Sequence, residues 1–161
     1  MRIAGIVRES IVDGPGIRYV VFTQGCPHRC PGCHNPLTHD PAGGYEISPD
    51  ELASDFLRES EANPLLSGLS ISGGEPLIHA RELLPLAEAA RKAGLGLWVY
   101  TGYTIEEIAS LGDACHRALL KMADALVDGR FEESLRTLEA GFAGSSNQRV
   151  IGREELRKYT M

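Results

Sequence analysis

Four short β-rich runs separated by helix-length segments restrict what this chain can fold into. Ile17 to Thr23, Leu69 to Ser72, Gly96 to Thr101 and Ala125 to Asp128 are rich in aliphatic and aromatic residues, and turn or cap chemistry bounds them. Strands that alternate with helices pair in parallel through right-handed crossovers, which gives an α/β fold. A closed eight-unit barrel takes about 250 residues. The chain has 161 residues, room for about four or five strand–helix units. An open, partial (β/α) barrel or a curved open sheet, forming one domain over residues 1–161, is therefore expected.

The boundaries are read from local chemistry. Asp13-Gly14-Pro15-Gly16 is a turn ahead of the first core strand, and residues 1–8 read as a further short strand before it. Ser48-Pro49-Asp50-Glu51 and Thr104-Ile105-Glu106-Glu107 are capping boxes that open helices. A helix is expected to begin near Leu84, with Pro85 in its first turn, and to stop at Gly94. Residues 113–122 and Glu132 to Ala140 read as helices, Gly144 to Asn147 as loop, and Gln148 to Ile151 as a last short strand.

Net charge is −6, from 16 Lys and Arg against 22 Asp and Glu, which argues against general nucleic-acid binding. No apolar run approaches the roughly 18 residues of a membrane span, and the first residues lack the apolar stretch of a signal peptide. A soluble, cytoplasmic protein in a reducing compartment is expected, where cysteines are rarely disulfide-bonded.

Cys26, Cys30 and Cys33 crowd into one segment, whereas Cys115 stands alone and reads as a buried helix residue. Pro27, Pro31 and Gly32 rule against a helix there, so a loop must wrap the three thiols around one object. Zinc fits if His28, His34 or His39 supplies a fourth ligand. Cys30-Pro31-Gly32-Cys33-His34 matches the c-type haem pattern, although haem attachment normally follows export. A thioredoxin-like Cys-x-x-Cys leaves Cys26 without a role. An iron–sulfur cluster normally takes four cysteines; three leave one iron open to a substrate.

Cys26-x3-Cys30-x2-Cys33, followed about forty residues later by Gly73-Gly74-Glu75-Pro76 after a core strand, resembles the two signature motifs of radical S-adenosylmethionine (SAM) enzymes. Asp13-Gly14-Pro15-Gly16-Ile17-Arg18, Val99-Tyr100-Thr101-Gly102-Tyr103, Val127-Asp128-Gly129-Arg130-Phe131 and Gly144-Ser145-Ser146-Asn147-Gln148 narrow the likeness. Together they resemble the activating proteins of anaerobic ribonucleoside-triphosphate reductase, over about residues 11–151. His34 departs from the tyrosine usual in that family.

The resemblance implies a partial barrel of the radical SAM type, with a [4Fe-4S] cluster on Cys26, Cys30 and Cys33. It implies S-adenosyl-L-methionine on the fourth iron, with Gly32, Cys33, His34, Asn35, Gly73, Gly74, Glu75, Thr101 and Asp128 as its candidate contacts. Glu75 either meets the SAM ammonium or fixes its loop. The implied reaction cleaves SAM reductively to a 5′-deoxyadenosyl radical and generates a glycyl radical on the large reductase subunit. Implied partners are that subunit, an external donor such as flavodoxin or ferredoxin, and a second copy in a homodimer. Rival readings are a short radical SAM enzyme similar to 7-carboxy-7-deazaguanine synthase, an activase of a different glycyl radical enzyme, and a non-catalytic zinc-stabilised module.

Overall fold

The computed structural model describes Met1–Met161. Seven strands form one open, mixed sheet: β1 (Arg2–Ser10), β2 (Ile17–Thr23), β3 (Tyr45–Glu46), β4 (Leu66–Gly73), β5 (Gly96–Tyr100), β6 (Ala125–Asp128) and β7 (Arg149–Gly152). Five helices join them: α1 (Pro49–Ala62), α2 (Ala80–Lys92), α3 (Ile105–Leu111), α4 (Ala114–Met122) and α5 (Arg153–Thr160). The order across the sheet is β3-β1-β2-β4-β5-β6-β7. Only β2, β4, β5 and β6 are parallel, while β1 and β7 run antiparallel at the flanks.

The parallel core is thus four strands joined by three crossovers, fewer than the four or five units expected. Antiparallel neighbours need no helical crossover: β1 turns into β2 through residues 11–16, and β6 reaches β7 through residues 129–148, which hold no α-helix. No helix is long and apolar enough to cross a membrane.

Strand periodicity divides the sheet into two unlike faces. Tyr19 and Val21, Leu69 and Ile71, Leu97 and Val99, and Leu126 point into the core, with Leu52 and Phe56 of α1, Leu83 and Leu86 of α2 and Leu119 of α4. The alternate residues face away from the helices. Among them Arg18 is 3% exposed. It donates to Ser70 Oγ at 2.7 Å and to the carbonyls of Pro15, Leu69 and Gly96 at 3.0, 2.9 and 3.2 Å. One buried guanidinium so fastens the Asp13–Gly16 turn to β4 and β5.

Both capping boxes form: Ser48 Oγ accepts from Glu51 N–H, and Thr104 Oγ1 accepts from Glu107 N–H. Two helix expectations need correction. α2 starts at Ala80, not near Leu84, and holds Pro85 in its interior. A turn at Pro76–His79 leads straight into it, and the buried stripe Leu83, Leu86, Ala87 and Ala90 outweighs one helical bond lost at exposed Arg81. The segment Glu132 to Ala140 is not a helix; only Glu133–Leu135 makes a single 3-10 turn. There Arg136 bridges to Ser145, and Ser145 Oγ accepts from Glu132 N–H, so contacts along the chain displace local propensity.

Candidate functional site

The carboxyl ends of β2, β4, β5 and β6 open onto a cleft of about 660 Å³, where ligands of α/β sheets collect. Phe22, Ser72, Tyr100 and Val127 line its floor from successive strands. The cysteine loop forms one wall, and residues 131–148 cross as a strap that forms another.

Each cysteine follows a residue with a positive φ: Gly25 at 98°, Arg29 at 49° and Gly32 at 74°. Arg29 is the only non-glycine in the chain with that backbone, and such strain concentrates at functional sites. The three reversals coil the loop so that Cys26, Cys30 and Cys33 all line the cleft. Burial pushes the Cys26 thiol above its ordinary value, while the backbone N–H groups of His28 and Arg29 oppose it. Asn35 N–H donates to Cys33 Sγ at 3.4 Å. Donors aimed at sulfur suit thiolates bound to iron. The three thiols line the same cleft, but no three His, Cys, Asp or Glu side chains are gathered closely enough to hold a metal ion.

Of the other sequence candidates, His34, Asn35, Gly73, Gly74 and Thr101 line the cleft, while Gly32, Glu75 and Asp128 do not. Glu75 is wholly buried. Its Oε1 accepts from Leu77 N–H at 3.0 Å and Thr101 Oγ1 at 2.8 Å. Its Oε2 accepts from Gly102 N–H at 2.8 Å and His28 Nε2 at 2.7 Å. With both oxygens doubly engaged, Glu75 ties the cysteine loop to the ends of β4 and β5. Asp128 is also wholly buried; it accepts from Ile105 N–H at 2.8 Å and from Arg149 at 3.0 and 2.5 Å, which anchors the start of α3.

Gly73, which ends β4, and Gly74, which follows it, have a reason that lies in the protein itself. Gly73 has φ +101°, and a Cβ there would stand 2.3 Å from Thr23 N. At Gly74 a Cβ would stand 2.3 Å from Gly25 O. Backbone on both sides forbids a side chain.

Sequence reasoning missed three parts. His28 entered only as a metal-ligand candidate, yet it is the buried partner of Glu75. Arg149 lay in an expected strand, with no signal for its pairing to Asp128. The strap was read as helix and loop. It meets the cysteine loop through Phe131 on His34, with ring centroids 5.1 Å apart, and it covers β5 through Phe142 on Trp98, also at 5.1 Å. Cys115 packs half-buried against the core and does not line the cleft.

Residues 12–151 match a family model described as a 4Fe-4S single cluster domain. The chain is 33% identical over 148 residues to the anaerobic ribonucleoside-triphosphate reductase-activating protein of Escherichia coli (strain K12), covering 88% of this chain and 92% of that one. The protein of that name from Enterobacteria phage T4 is 34% identical over 148 residues, covering 88% and 87%. That from Haemophilus influenzae is 31% identical over 157 residues, covering 91% and 94%.

Proposed function

Because the chain belongs to the family of anaerobic ribonucleoside-triphosphate reductase-activating proteins, we propose that it generates a glycyl radical on the large subunit of that reductase. The observation that carries this reading is the cleft itself: three thiols and the Gly73-Gly74 backbone line one cavity at the strand ends. In this reading Cys26, Cys30 and Cys33 would hold a [4Fe-4S] cluster, with SAM beside it in the cleft. When bound, the two would supply one-electron reductive cleavage of SAM.

The chain's own residues bind, orient and exclude water. The Gly74 N–H is given to Thr23 O at 2.8 Å, so Gly73 and Gly74, bare of side chains, would offer their carbonyls to the amino-acid end of SAM, with His34 and Asn35 beside the last thiol. Thr101 stands on the cleft wall, with its hydroxyl given to Glu75. Glu75 and Asp128 act as positioning residues, the first holding the cysteine loop and the second holding the ends of β6 and α3. The sheet leaves the side opposite its helices for a polypeptide carrying the target glycine. The open sheet, with its parallel strands ending at the cleft, supports a partial barrel of the radical SAM type. An external flavodoxin or ferredoxin delivers the electron.

The test is electron paramagnetic resonance on the anaerobically reconstituted protein with SAM, a reductant and the reductase subunit. A glycyl doublet that requires both SAM and this protein is expected. Deoxyadenosine without a doublet moves the substrate elsewhere. Neither product, from a sample holding its cluster, overturns the catalytic reading. Cys30→Ala is expected to abolish cluster absorption and SAM cleavage while circular dichroism stays native.

A further inference from the structure

Among the residues that line the cleft, Arg136 alone carries a permanent positive charge. Arg130 meets Glu107 at 3.1 Å, Arg149 is shared by Glu106 and Asp128, and Arg18 is spent on Ser70 and three carbonyls, while Arg29 of the cysteine loop does not line the cleft. Arg136 has no carboxylate within ion-pair distance, and its one hydrogen bond, to Gly32 O, is 3.5 Å long. That contact is at the weak limit of hydrogen-bond geometry.

Its position is nonetheless set. The guanidinium lies over the Phe131 ring, 5.5 Å from the centroid, and Phe131 leans on His34 of the cysteine loop. Stacking on an aromatic face orients the planar fork without using its donors. Gly32, the residue it reaches, lies between Cys30 and Cys33. The free donors of Arg136 are therefore held beside the cysteine loop, where the proposed function would put the amino-acid end of SAM.

We propose that Arg136 reads the carboxylate of SAM, donating to it from the strap and so drawing residues 131–148 down over the ligand. This inference rests on the reading above that SAM occupies the cleft. A guanidinium can give a carboxylate oxygen a charge-assisted bond, and the fork here is oriented before the ligand arrives.

The experiment compares two unreactive ligands on the cluster-loaded protein. S-adenosylhomocysteine keeps the amino-acid end, and methylthioadenosine lacks it. Affinities are measured by anaerobic calorimetry for the wild type, Arg136→Ala and Arg136→Lys, with iron content checked in each. Arg136→Ala is expected to weaken S-adenosylhomocysteine by about 10- to 100-fold and to leave methylthioadenosine unchanged. Arg136→Lys should fall between, since a point charge replaces the fork. Hydrogen exchange across the strap should slow with S-adenosylhomocysteine in the wild type and not in Arg136→Ala. Equal losses for both ligands, or no loss for either, would overturn the role of Arg136 while leaving SAM binding in place. A wild type that binds neither ligand brings down the reading of the cleft and this inference with it.

Discussion

Replacing Glu75 by glutamine removes one charge and almost no volume, so it probes the hydrogen-bond hub directly. Each carboxylate oxygen accepts one backbone N–H and one side-chain donor: Leu77 and Thr101 on Oε1, Gly102 and His28 on Oε2. An amide turned either way therefore sets its NH2 against a backbone N–H, of Leu77 or of Gly102. One buried donor is orphaned, at about 1–3 kcal/mol, and bonds to a charged acceptor become neutral ones of about half the strength. The sum is about 3 kcal/mol, or ~6–12 °C in Tm for a chain of this size. Thermal and urea unfolding of the cluster-free protein measure it. Because His28 is released from its buried partner, iron bound per chain after reconstitution should fall as well. A Glu75→Gln protein within ~0.5 kcal/mol of wild type, loading as much iron, would refute the hub.

Gly73→Ala should destabilise by about 3–5 kcal/mol, because the new Cβ meets the backbone of Thr23 and Phe22; Gly94→Ala, with φ +71° and open space around it, should cost only about 1–2 kcal/mol, and equal losses in urea melts would remove the packing argument. Tyr100 has a buried hydroxyl with no partner, so Tyr100→Phe should raise the unfolding midpoint at neutral pH by up to ~1–2 kcal/mol. Burial also raises the pKa of Tyr100 and Tyr19 above 10.0. The unfolded chain therefore loses those protons first, and stability present below pH 10.0 declines as pH rises past it; Tyr100→Phe should flatten that alkaline limb. At Asp55 burial raises the pKa, but the Tyr19 hydroxyl at 2.6 Å and Arg8 at 2.8 Å outweigh it and hold it below 3.8. Its contribution is complete above 3.8 and fades as pH falls through the lower folded value, so Asp55→Asn should show a shallower acid unfolding limb.

What could be read in advance was what local chemistry controls. Ser48 and Thr104 announced their helices because a capping box is closed within four residues, and the core strands were legible from apolar runs ending in turns. The cysteine spacing and the glycine pair marked the cleft for a similar reason, since each motif is contiguous. Long-range partners were not legible. Nothing near Glu132 says that Ser145 will take its N–H, and nothing near Glu75 says that His28, 47 residues away, will approach its second oxygen. Glu132 to Ala140 reads as helix because Glu, Leu and Ala favour one wherever no tertiary contact competes. The motifs that hold Glu75 and Asp128 read as contacts for SAM, whereas the structure turns their oxygens to the protein.

A sheet clad with helices on one face has completed half of a layered domain. On the other face this protein sets a loop, a strap and about 660 Å³ of open cleft where most α/β proteins set a second tier of helices. Whatever fills that space is then also a building material, and binding and folding share one equilibrium. A ligand at a hundred times its dissociation constant adds about 2.7 kcal/mol to the native state, comparable to the whole Glu75 hub. Loaded and empty chains should accordingly differ in lifetime as much as in chemistry, the empty one opening first at the strap.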